Sequence, residues 1–409
     1  MRAVKFGGSS VADAPRLRAA GAILARLRAR EPVTAVVSAM AGVTDGLLHV
    51  AHCAAHGGAE AWTGELRALG ARHRAAYQAL AGGVPDTFQR QWAEVEREAV
   101  TLARAGPALD ASSRALAAAR FSGWGERLAV GLLAAATVAE GAAAFPLDDA
   151  SILLSGRERP GVEAEPSALA TRAWLPPRLA MPVMRGAIPI LPGYIARDAE
   201  GRLTTLGRNA SDHSAAVIAA ALGVTQLTIY SDVSGIYTAD PRVLPDARLL
   251  PALTYDEAAR IAALGARALH PRALEPLVSG AIPLELRAAC APDAPGTDIG
   301  PAARLTRQRA REAAWAVVSR PTSRPGAVGL TALRLPAWPL CDDGCDCGAL
   351  AAAVVERFAL APLTVARDEL RLTVLESRTG EAIRALHAIL AGCASRHAGE
   401  MSARLAVGA

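Results

Sequence analysis

Short apolar runs alternate with helical patterns in this chain, and this alternation restricts the fold more than any other feature of the sequence. Arg2–Phe6 is a short apolar run, Gly7–Ser10 follows as a turn, and Val33–Ser38 is a second run of the same kind. The segment between them repeats apolar residues at the spacing of one helix face: Leu17, Ala20, Leu24 and Leu27. Alternating strands and helices predict an α/β fold with a mainly parallel sheet and helices on both of its faces.

This alternation is interrupted and then resumes. Residues 60–145 are rich in alanine and have helical periodicity, which predicts a helical insertion or lid. Beyond this region we predict strands at Ile188–Leu191 and Gln226–Tyr230, and helices at Asp212–Leu222 and Tyr255–Leu264.

A break in composition near Pro295–Gly296 and the arginine-rich stretch Arg304–Arg311 separates a C-terminal region. The order of elements predicted beyond it, β-α-β-β-α-β, is the ferredoxin-like pattern. We place its strands near Val328–Leu335, Leu363–Ala366, Leu370–Glu376 and Arg404–Val407, and its helices at Gly348–Phe358 and Gly380–Leu390. We therefore expect two domains, 1–300 and 301–409, which is also the number that the length of 409 residues favours.

Composition and charge indicate the class of protein. With 52% hydrophobic and 20% charged residues, the chain has the composition of a soluble globular protein. Its longest apolar run, Leu128–Ala139, is too short to span a bilayer, and the N-terminus lacks the pattern of a secretory signal. We therefore expect no membrane partner and a cytoplasmic location. The net charge of +5 comes from arginines interleaved with acidic residues rather than from a basic stripe, so we expect no nucleic-acid partner.

Lysine is nearly absent from the sequence. Of 44 basic residues, 43 are arginine and Lys5 is the only lysine. A compact ammonium group and a planar guanidinium group are not equivalent. The one retained lysine therefore marks a position where arginine does not serve.

Six cysteines in so long a chain do not indicate a disulfide framework. Cys341, Cys345 and Cys347 lie close together, but their spacing is not that of a zinc finger. We expect an irregular, reduced loop there and no metal site.

Lys5 begins the first of three motifs that carry chemistry. In Lys5–Ser10 two glycines follow a strand and precede a helix, where backbone N–H groups can approach a phosphate closely. Lys5 would add a point charge at the carboxyl end of the strand. The alternative is a plain tight turn with Lys5 as a solvent-exposed charge.

The second motif, Thr204–Asp212, leads directly into a predicted helix. Arg208 beside a glycine suits a bidentate grip on a substrate carboxylate, and Asp212 would orient Lys5 or a phosphate-bound metal. Ser211 is a candidate N-cap, and an ordinary capped helix is the alternative interpretation.

The third motif, Tyr230–Arg242, is a strand that runs into a polar loop, which is where α/β sheets bind ligands. Asp232 would accept a hydrogen bond from a ribose or an adenine, and Tyr237 would pack on the base. A β-turn with a half-buried Tyr237 is the simpler interpretation of this loop in isolation.

Two weaker candidates complete the set. Glu126 opens a helix after a glycine, where it would bind a substrate ammonium. The alternative is an ordinary glutamate in the first turn of a helix. Arg267 would lie over a phosphate, or its segment is simply the C-cap of a helix.

Seven segments in collinear order resemble the aspartokinases of the amino-acid kinase family: KFGGSSV at 5–11, VVSAMAGVTD at 36–45, GE at 125–126, TTLGRNASD at 204–212, SDVSGIYTADPR at 231–242, LGARALHP at 264–271 and PGTDIG at 295–300. The resemblance implies an amino-acid-kinase fold for 1–300 and a reduced, ferredoxin-like ACT-type domain for 301–409. It also implies ATP-dependent phosphorylation of the side-chain carboxylate of L-aspartate to 4-phospho-L-aspartate, a step in amino-acid biosynthesis.

The resemblance further implies roles for individual residues. Lys5 and Asp212 would be catalytic, and Thr44, Glu126 and Arg208 would bind the amino-acid substrate. ATP, accompanied by Mg²⁺, would contact eight residues: Gly7, Gly8, Ser9, Ser231, Asp232, Tyr237, Arg242 and Arg267. Catalysis would proceed by positioning and charge neutralisation, as is general for phosphoryl transfer. A homodimer or a higher homo-oligomer is expected.

The sequence departs from the family pattern at several positions. Ala210 stands where glycine is common, and Arg267 replaces a lysine. The roughly 95 residues after Arg311 suffice for one ferredoxin-like unit, whereas aspartokinases usually carry two ACT modules. Feedback inhibition by lysine or threonine is therefore not expected, and the unit would serve in dimerisation.

Two alternatives remain at this stage. In the first, the chain is an enzyme of the same fold that acts on a different amino or phosphono acid in specialised metabolism. A non-catalytic amino-acid sensor or assembly subunit is the other, and the retention of Lys5, Arg208 and Asp212 argues against it.

Overall fold

The computed structural model describes residues 1–56, 59–149, 152–153, 165–198, 201–207, 210–264, 269–301, 315–321, 327–334, 364–366 and 369–388. Contacts divide the chain into two compact units, 1–233 with 272–294 and 234–271 with 295–409. The segment 234–271 thus groups with the C-terminal part of the chain, and the predicted domain boundary at residue 300 stays a prediction.

The described strands are β1 Arg2–Phe6, β2 Val33–Val37, β3 Ala144–Pro146, β4 Ile188–Pro192, β5 Ile195–Arg197, β6 Leu203–Thr205, β7 Gln226–Ser231, β8 Ala252–Thr254, β9 Leu284–Ala288, β10 Thr297–Gly300, β11 Trp315–Pro321, β12 Ala327–Arg334, β13 Thr364–Ala366 and β14 Glu369–Leu375. The helices are α1 Ala14–Arg28, α2 Val43–Ala55, α3 Ala59–Ala81, α4 Asp86–Ala105, α5 Ala111–Ser122, α6 Trp124–Ala139, α7 Ala168–Met184, α8 Ser211–Leu222, α9 Tyr255–Ala263, α10 Glu275–Ser279 and one over 379–388.

The first unit is built on a parallel sheet with the strand order β3-β4-β2-β1-β7-β9. β1 lies inside this sheet, with Lys5 in register with Val36 of β2 and Ile229 of β7. β5 and β6 form a separate antiparallel hairpin. The predicted α/β class with a mainly parallel sheet is confirmed, and the strands and helices predicted in this unit lie within a residue or two of their expected bounds.

Side chains alternate along β1, and this alternation separates the two faces of the sheet. Val4 and Phe6 belong to the apolar core that α1 and the helices α2–α6 share with the sheet. Lys5 points the other way, towards α8, which packs against β1, β2 and β7. Helices therefore cover both faces, as the sequence predicts.

α1 forms where the apolar spacing predicts it. The side chain of Asp13 caps its N-terminus by accepting a hydrogen bond from the backbone N–H of Arg16 at 2.9 Å. Leu17 and Leu24 are fully buried against α6, and Leu27 packs at the edge of the same core. The amphipathic pattern thus places one face of the helix in the core.

The helical region between β2 and β3 consists of α2–α6 and confirms the predicted helical insertion. A buried histidine lies among its aromatic residues: His73 of α3 packs near Phe88 and Trp92 of α4. Nδ1 of His73 lies 2.8 Å from the carbonyl oxygen of Leu69, and Nε2 is buried without a hydrogen-bond partner. This environment favours the neutral imidazole.

The second unit contains the parallel pair β8–β10 and a four-stranded antiparallel sheet of order β11-β12-β14-β13. Its core joins Ala239 and Leu244 to Val317, Leu330 and apolar residues of the helix over 379–388. β12, β13, β14 and that helix were predicted, whereas β11 was not. The predicted helix 348–358, the predicted strand 404–407 and the three clustered cysteines lie outside the described residues.

No helix within the described part of the chain combines the length and the apolar character needed to cross a membrane.

Replacing Gly21 by alanine is expected to lower the free energy of unfolding by about 1–3 kcal/mol. A Cβ atom at this position would lie 2.7 Å from the backbone carbonyl of Ala136, where α1 crosses α6. Gly64→Ala on α3 is the matched control, because no atom lies within 4 Å of the added Cβ, and it should stabilise the helix by up to about 1 kcal/mol. Chemical denaturation measures both variants; equal stability of Gly21→Ala and wild type would contradict this close contact.

Acidification is expected to destabilise the first unit through His73. Burial lowers the pKa of His73 from its ordinary value of 6.5 to about 4. The unfolded state therefore binds a proton more readily, and stability falls as the pH drops from about 6.5 to 4, by up to roughly 3 kcal/mol.

Denaturation midpoints measured between pH 4 and pH 7 check this effect. Relative to His73→Leu, wild type should lose up to roughly 3 kcal/mol of stability between pH 6.5 and pH 4. Relative to His56→Leu, at an exposed position, its stability should change little across this range. The same slope in wild type and His73→Leu would rule out His73 as the group responsible.

Candidate active site

A buried ion pair lies at the carboxyl end of β1. Nζ of Lys5 is 2.5 Å from Oδ1 of Asp212 in the first turn of α8. Lys5 is only 6% exposed, so its charge depends on this carboxylate for compensation. The structure therefore excludes the interpretation of Lys5 as a solvent-exposed charge at a strand end.

The two glycines after β1 form a turn that is packed against the next strand-end loop. A Cβ atom on Gly8 would lie 2.8 Å from the carbonyl oxygen of Ala39, so only glycine fits there without movement of the backbone. A Cβ atom on Gly7 would lie 3.5 Å from Nζ of Lys5, an ordinary contact. Gly8 is thus required by the protein's own packing, whereas the space beside Gly7 adjoins the Lys5 ammonium.

Hydrogen bonds hold this turn to β7. The backbone N–H of Gly7 and the hydroxyl of Ser10 both donate to the carbonyl oxygen of Tyr230, at 3.1 and 3.2 Å. The Tyr230 ring stacks on Phe6 with 5.3 Å between ring centroids. Ser9 is half-buried in the same turn. The turn is therefore fixed from both sides of β1.

Glu126 lies in the first turn of α6 and is 2% exposed. One carboxyl oxygen accepts a hydrogen bond from the backbone N–H of Ala39 at 3.2 Å, and the other is buried without a hydrogen-bond partner. Burial raises the pKa of Glu126 to about 8, although the bond from Ala39 and the positive charge of Lys5 oppose the shift. A buried carboxyl with one unsatisfied oxygen is a candidate ligand for a cationic group.

The loop after β2 brings Thr44 to the same end of the sheet. Gly42 adopts φ of +80°, which glycine tolerates, and caps α2, whose first turn contains the half-buried Thr44. The guanidinium of Arg72 donates hydrogen bonds to the carbonyl oxygens of Ala12 and Ala41, both at 2.7 Å. Arg72 thus ties together the loops that follow β1 and β2. Sequence reasoning missed it because its acceptors are backbone atoms, which leave no motif.

A second missed feature is the turn after β4. Tyr194 adopts φ of +61°, a left-handed conformation that is unusual for a residue with a side chain. Its backbone N–H donates to the hydroxyl of Ser214 on α8 at 2.8 Å, and its own hydroxyl lies 3.0 Å from that of Ser122. These bonds stabilise the strained residue beside the start of α8.

The structure corrects the predicted N-cap of α8. Ser211 is the first helical residue, and Ala210 occupies the N-cap position without a side-chain hydrogen bond. The β-carbon of Ser211 packs instead against Gly193, where a Cβ atom would lie 3.0 Å away. Ser211 is therefore a packing residue rather than a cap.

β7 ends near the glycine turn with Ser231 and Asp232. The hydroxyl of Ser231 is used locally, since it donates to the carbonyl oxygen of Val233 at 2.9 Å and accepts from its N–H at 3.3 Å. Asp232 is exposed. Of these two predicted nucleotide contacts, only Asp232 presents a side chain to solvent.

The remaining predicted site residues belong to the second unit or lie outside the described residues. Tyr237 and Arg242 belong to the second unit, where Tyr237 is half-buried and Arg242 forms an ion pair with Asp240 at 2.8 Å. Arg208 and Arg267 lie outside the described residues. The described part of the first unit thus brings Lys5, Gly7, Gly8, Glu126 and Asp212 to one end of the sheet.

Comparison with known proteins agrees with this arrangement. Residues 1–287 match the model of the amino acid kinase family. The chain belongs to this family.

Two curated relatives of this family member are aspartokinases. The bifunctional aspartokinase/homoserine dehydrogenase of Haemophilus influenzae is 31% identical over 307 residues, which are 73% of this chain and 36% of that protein. The aspartokinase of Thermus thermophilus is 46% identical over 99 residues, 24% of each chain. The matches therefore span about a third or less of the curated relatives' length.

A solved structure shares the fold. The crystal structure of E. coli aspartokinase III in complex with aspartate and ADP superposes with a TM-score of 0.75 over 95% of this chain and 99% of that chain, at 21% identity.

The buried carboxyl of Glu126 is expected to make the folded chain less stable as the pH rises from 4.5 to 8. Its folded pKa of about 8 lies above its ordinary value of 4.5, so the unfolded state loses the proton first and stability falls as the pH rises from 4.5 to 8. The loss should be on the order of 3–5 kcal/mol.

Unfolding of Glu126→Gln, measured from pH 5 to pH 9, checks this expectation. The stability of Glu126→Gln should fall much less with rising pH than that of wild type. Glu94→Gln, at an exposed position on α4, should show the same fall as wild type. A Glu126→Gln protein with the wild-type pH profile would show that Glu126 ionises freely.

Proposed function

We propose that this chain transfers the γ-phosphoryl group of ATP to the side-chain carboxylate of L-aspartate, giving 4-phospho-L-aspartate and ADP. The buried Lys5–Asp212 pair beside the glycine turn carries this proposal, because it places a single compact positive charge at the end of β1 where a phosphate can approach. Membership of the amino acid kinase family and similarity to aspartokinases support the choice of substrate.

The transfer needs no covalent enzyme intermediate. An oxygen of the aspartate carboxylate attacks the γ-phosphorus, the new P–O bond forms, and the bond to the ADP oxygen breaks. Lys5 stabilises the negative charge on the transferred group, and Asp212 holds the Lys5 ammonium in position. Gly7, Gly8 and Ser9 would hold the phosphates through the turn that follows β1.

The substrate's other groups require their own partners. The unsatisfied oxygen of Glu126 suits the α-ammonium of an amino acid, and a bound cation would favour the charged form of the carboxylate. Thr44 would bind a substrate carboxylate from the first turn of α2. Arg208 is proposed to grip a carboxylate bidentately.

Nucleotide binding is proposed for the loop that follows β7. Ser231, Asp232, Tyr237, Arg242 and Arg267 would contact ATP, with Asp232 available at the exposed end of β7.

Mg²⁺ fits this site as a companion of the nucleotide. The described residues contain no group of three or more acidic, histidine or cysteine side chains that would form a protein cage. Mg²⁺ commonly binds through phosphates, waters and one or two carboxylates, and Asp212 supplies one carboxylate. When bound, the ion would neutralise charge on the phosphates.

We extend the proposal to the C-terminal part of the chain. The antiparallel order β11-β12-β14-β13 with a helix over 379–388 supports an ACT-type ferredoxin-like domain. We propose that it assembles the chain into a homodimer or a higher oligomer, and that the enzyme works in the cytoplasm.

Trapping of the acyl phosphate with hydroxylamine tests the proposed reaction. Purified chain, Mg²⁺-ATP and aspartate should give a hydroxamate together with ADP. A panel of other amino and phosphono acids is run in parallel; a hydroxamate or ADP release from another acid, but not from aspartate, would replace the substrate assignment. No turnover with any acid would favour a non-catalytic sensor.

Lys5→Arg tests the role of the lone lysine. We expect turnover to fall by roughly a hundredfold or more, because the larger planar group cannot occupy the space between Asp212 and the glycine turn. Arg97→Lys, at an exposed position on α4, is the control and should keep full activity. Full activity of a folded Lys5→Arg protein would refute the role given to Lys5.

A further inference from the structure

A cavity of about 330 Å³ lies in the first unit, between the N-terminal end of α6 and the β5–β6 hairpin. Glu98, Arg120, Trp124 and Arg127 line one side of it, and hairpin residues line the other. None of the residues assigned to the candidate active site lines this cavity. Its volume is at the lower end of the range for small-molecule sites.

Arg120 lines this cavity. Its Nε is buried without a hydrogen-bond partner and lies out of reach of a ligand. One terminal nitrogen lies 3.8 Å from the carboxylate of Asp198, which is too far for a hydrogen bond. Within the described residues the terminal nitrogens have no hydrogen-bond partner, so they are the donors that a bound oxyanion would use.

Arg127 offers a second set of donors. The carbon atom of its guanidinium lies over the Trp124 ring, 3.7 Å from the centroid. Nε donates to the carbonyl oxygen of Asp148 at 3.0 Å, and within the described residues the two Nη nitrogens have no hydrogen-bond partner. The ring contact and the bond to Asp148 hold the group in place while leaving its terminal N–H donors available.

The other arginines of the cavity are already paired. Arg197 is paired with Asp149, and Arg202 with Asp198 at 2.8 Å. Glu98 accepts a hydrogen bond from the indole N–H of Trp124 at 2.6 Å. Arg120 and Arg127 are therefore the cations best placed to hold a ligand.

Apolar side chains form the rest of the wall: Trp124, Ile195 and Leu203. A ligand that fits has one anionic group for the two guanidinium groups and a short apolar body for these side chains. Inorganic phosphate meets only the first condition.

We propose that this cavity binds a small organic acid, with its carboxylate held by Arg120 and Arg127 and its apolar body against Trp124, Ile195 and Leu203. A guanidinium group matches the geometry of a carboxylate, and both arginines line the same cavity. None of its lining residues is assigned to the phosphoryl transfer, and the proposal does not depend on the function proposed above.

Calorimetric titration of the full-length chain tests the site. The probe is 4-methylpentanoate, with inorganic phosphate and chloride at equal ionic strength for comparison. We expect saturable binding of 4-methylpentanoate and much weaker binding of phosphate. Arg120→Gln and Arg127→Gln should each weaken binding by roughly tenfold or more. Arg97→Gln, at an exposed position on α4, should bind like wild type, and so should Lys5→Arg.

Other outcomes overturn the proposal. Absence of saturable binding would do so, as would equal affinities in Arg97→Gln, Arg120→Gln and Arg127→Gln. Loss of binding in Lys5→Arg would move the ligand to the candidate active site. Equal affinities for phosphate and for 4-methylpentanoate would show a simple anion site in which the apolar side chains have no role. Where a glutamine variant does not fold by circular dichroism, Arg120→Lys and Arg127→Lys decide, and each should also weaken binding.

Discussion

The Lys5–Asp212 ion pair is the constraint on which the candidate active site depends. Lys5 is almost fully buried, and a buried ammonium is tolerated only with a close partner. The pair therefore couples the end of β1 to the start of α8. Since Val4 and Phe6 face the opposite helical layer, the same strand contributes to the apolar core with one set of side chains and to the candidate site with the other.

Close packing around this pair explains why the neighbouring loops have one conformation. Gly8 touches the backbone of Ala39, whose N–H in turn donates to Glu126. Arg72 ties the loops after β1 and β2 from outside. A carboxylate, an ammonium and the glycine turn are thus held at fixed positions by the protein's own contacts. Such preorganisation is what phosphoryl transfer requires of a protein.

Local patterns predicted much of this arrangement. β1, α1 and α8 follow from apolar periodicity, which depends only on the spacing of neighbouring residues. β11 was missed, and the N-cap of α8 was placed one residue too far along, at Ser211. Ser211 has the composition of a cap, but its β-carbon packs against Gly193, a contact between residues distant in sequence. Tyr194 was missed because its left-handed backbone is stabilised by Ser214, which lies on another element.

The sequence by itself determined the α/β class and the positions along the chain of the strands that carry the motifs. It also singled out Lys5 as a candidate, because a single lysine among 43 arginines is visible without a structure. Only the tertiary structure decided what Lys5 contacts, that Glu126 is buried with its pKa raised to about 8, and that Arg72 joins two loops. Only the structure, likewise, brought Arg120 and Arg127 to one cavity. The physical reason is the same in each case. Propensity and periodicity act between near neighbours, whereas burial, charge compensation and hydrogen bonds to backbone atoms arise from segments that meet only when the chain is folded.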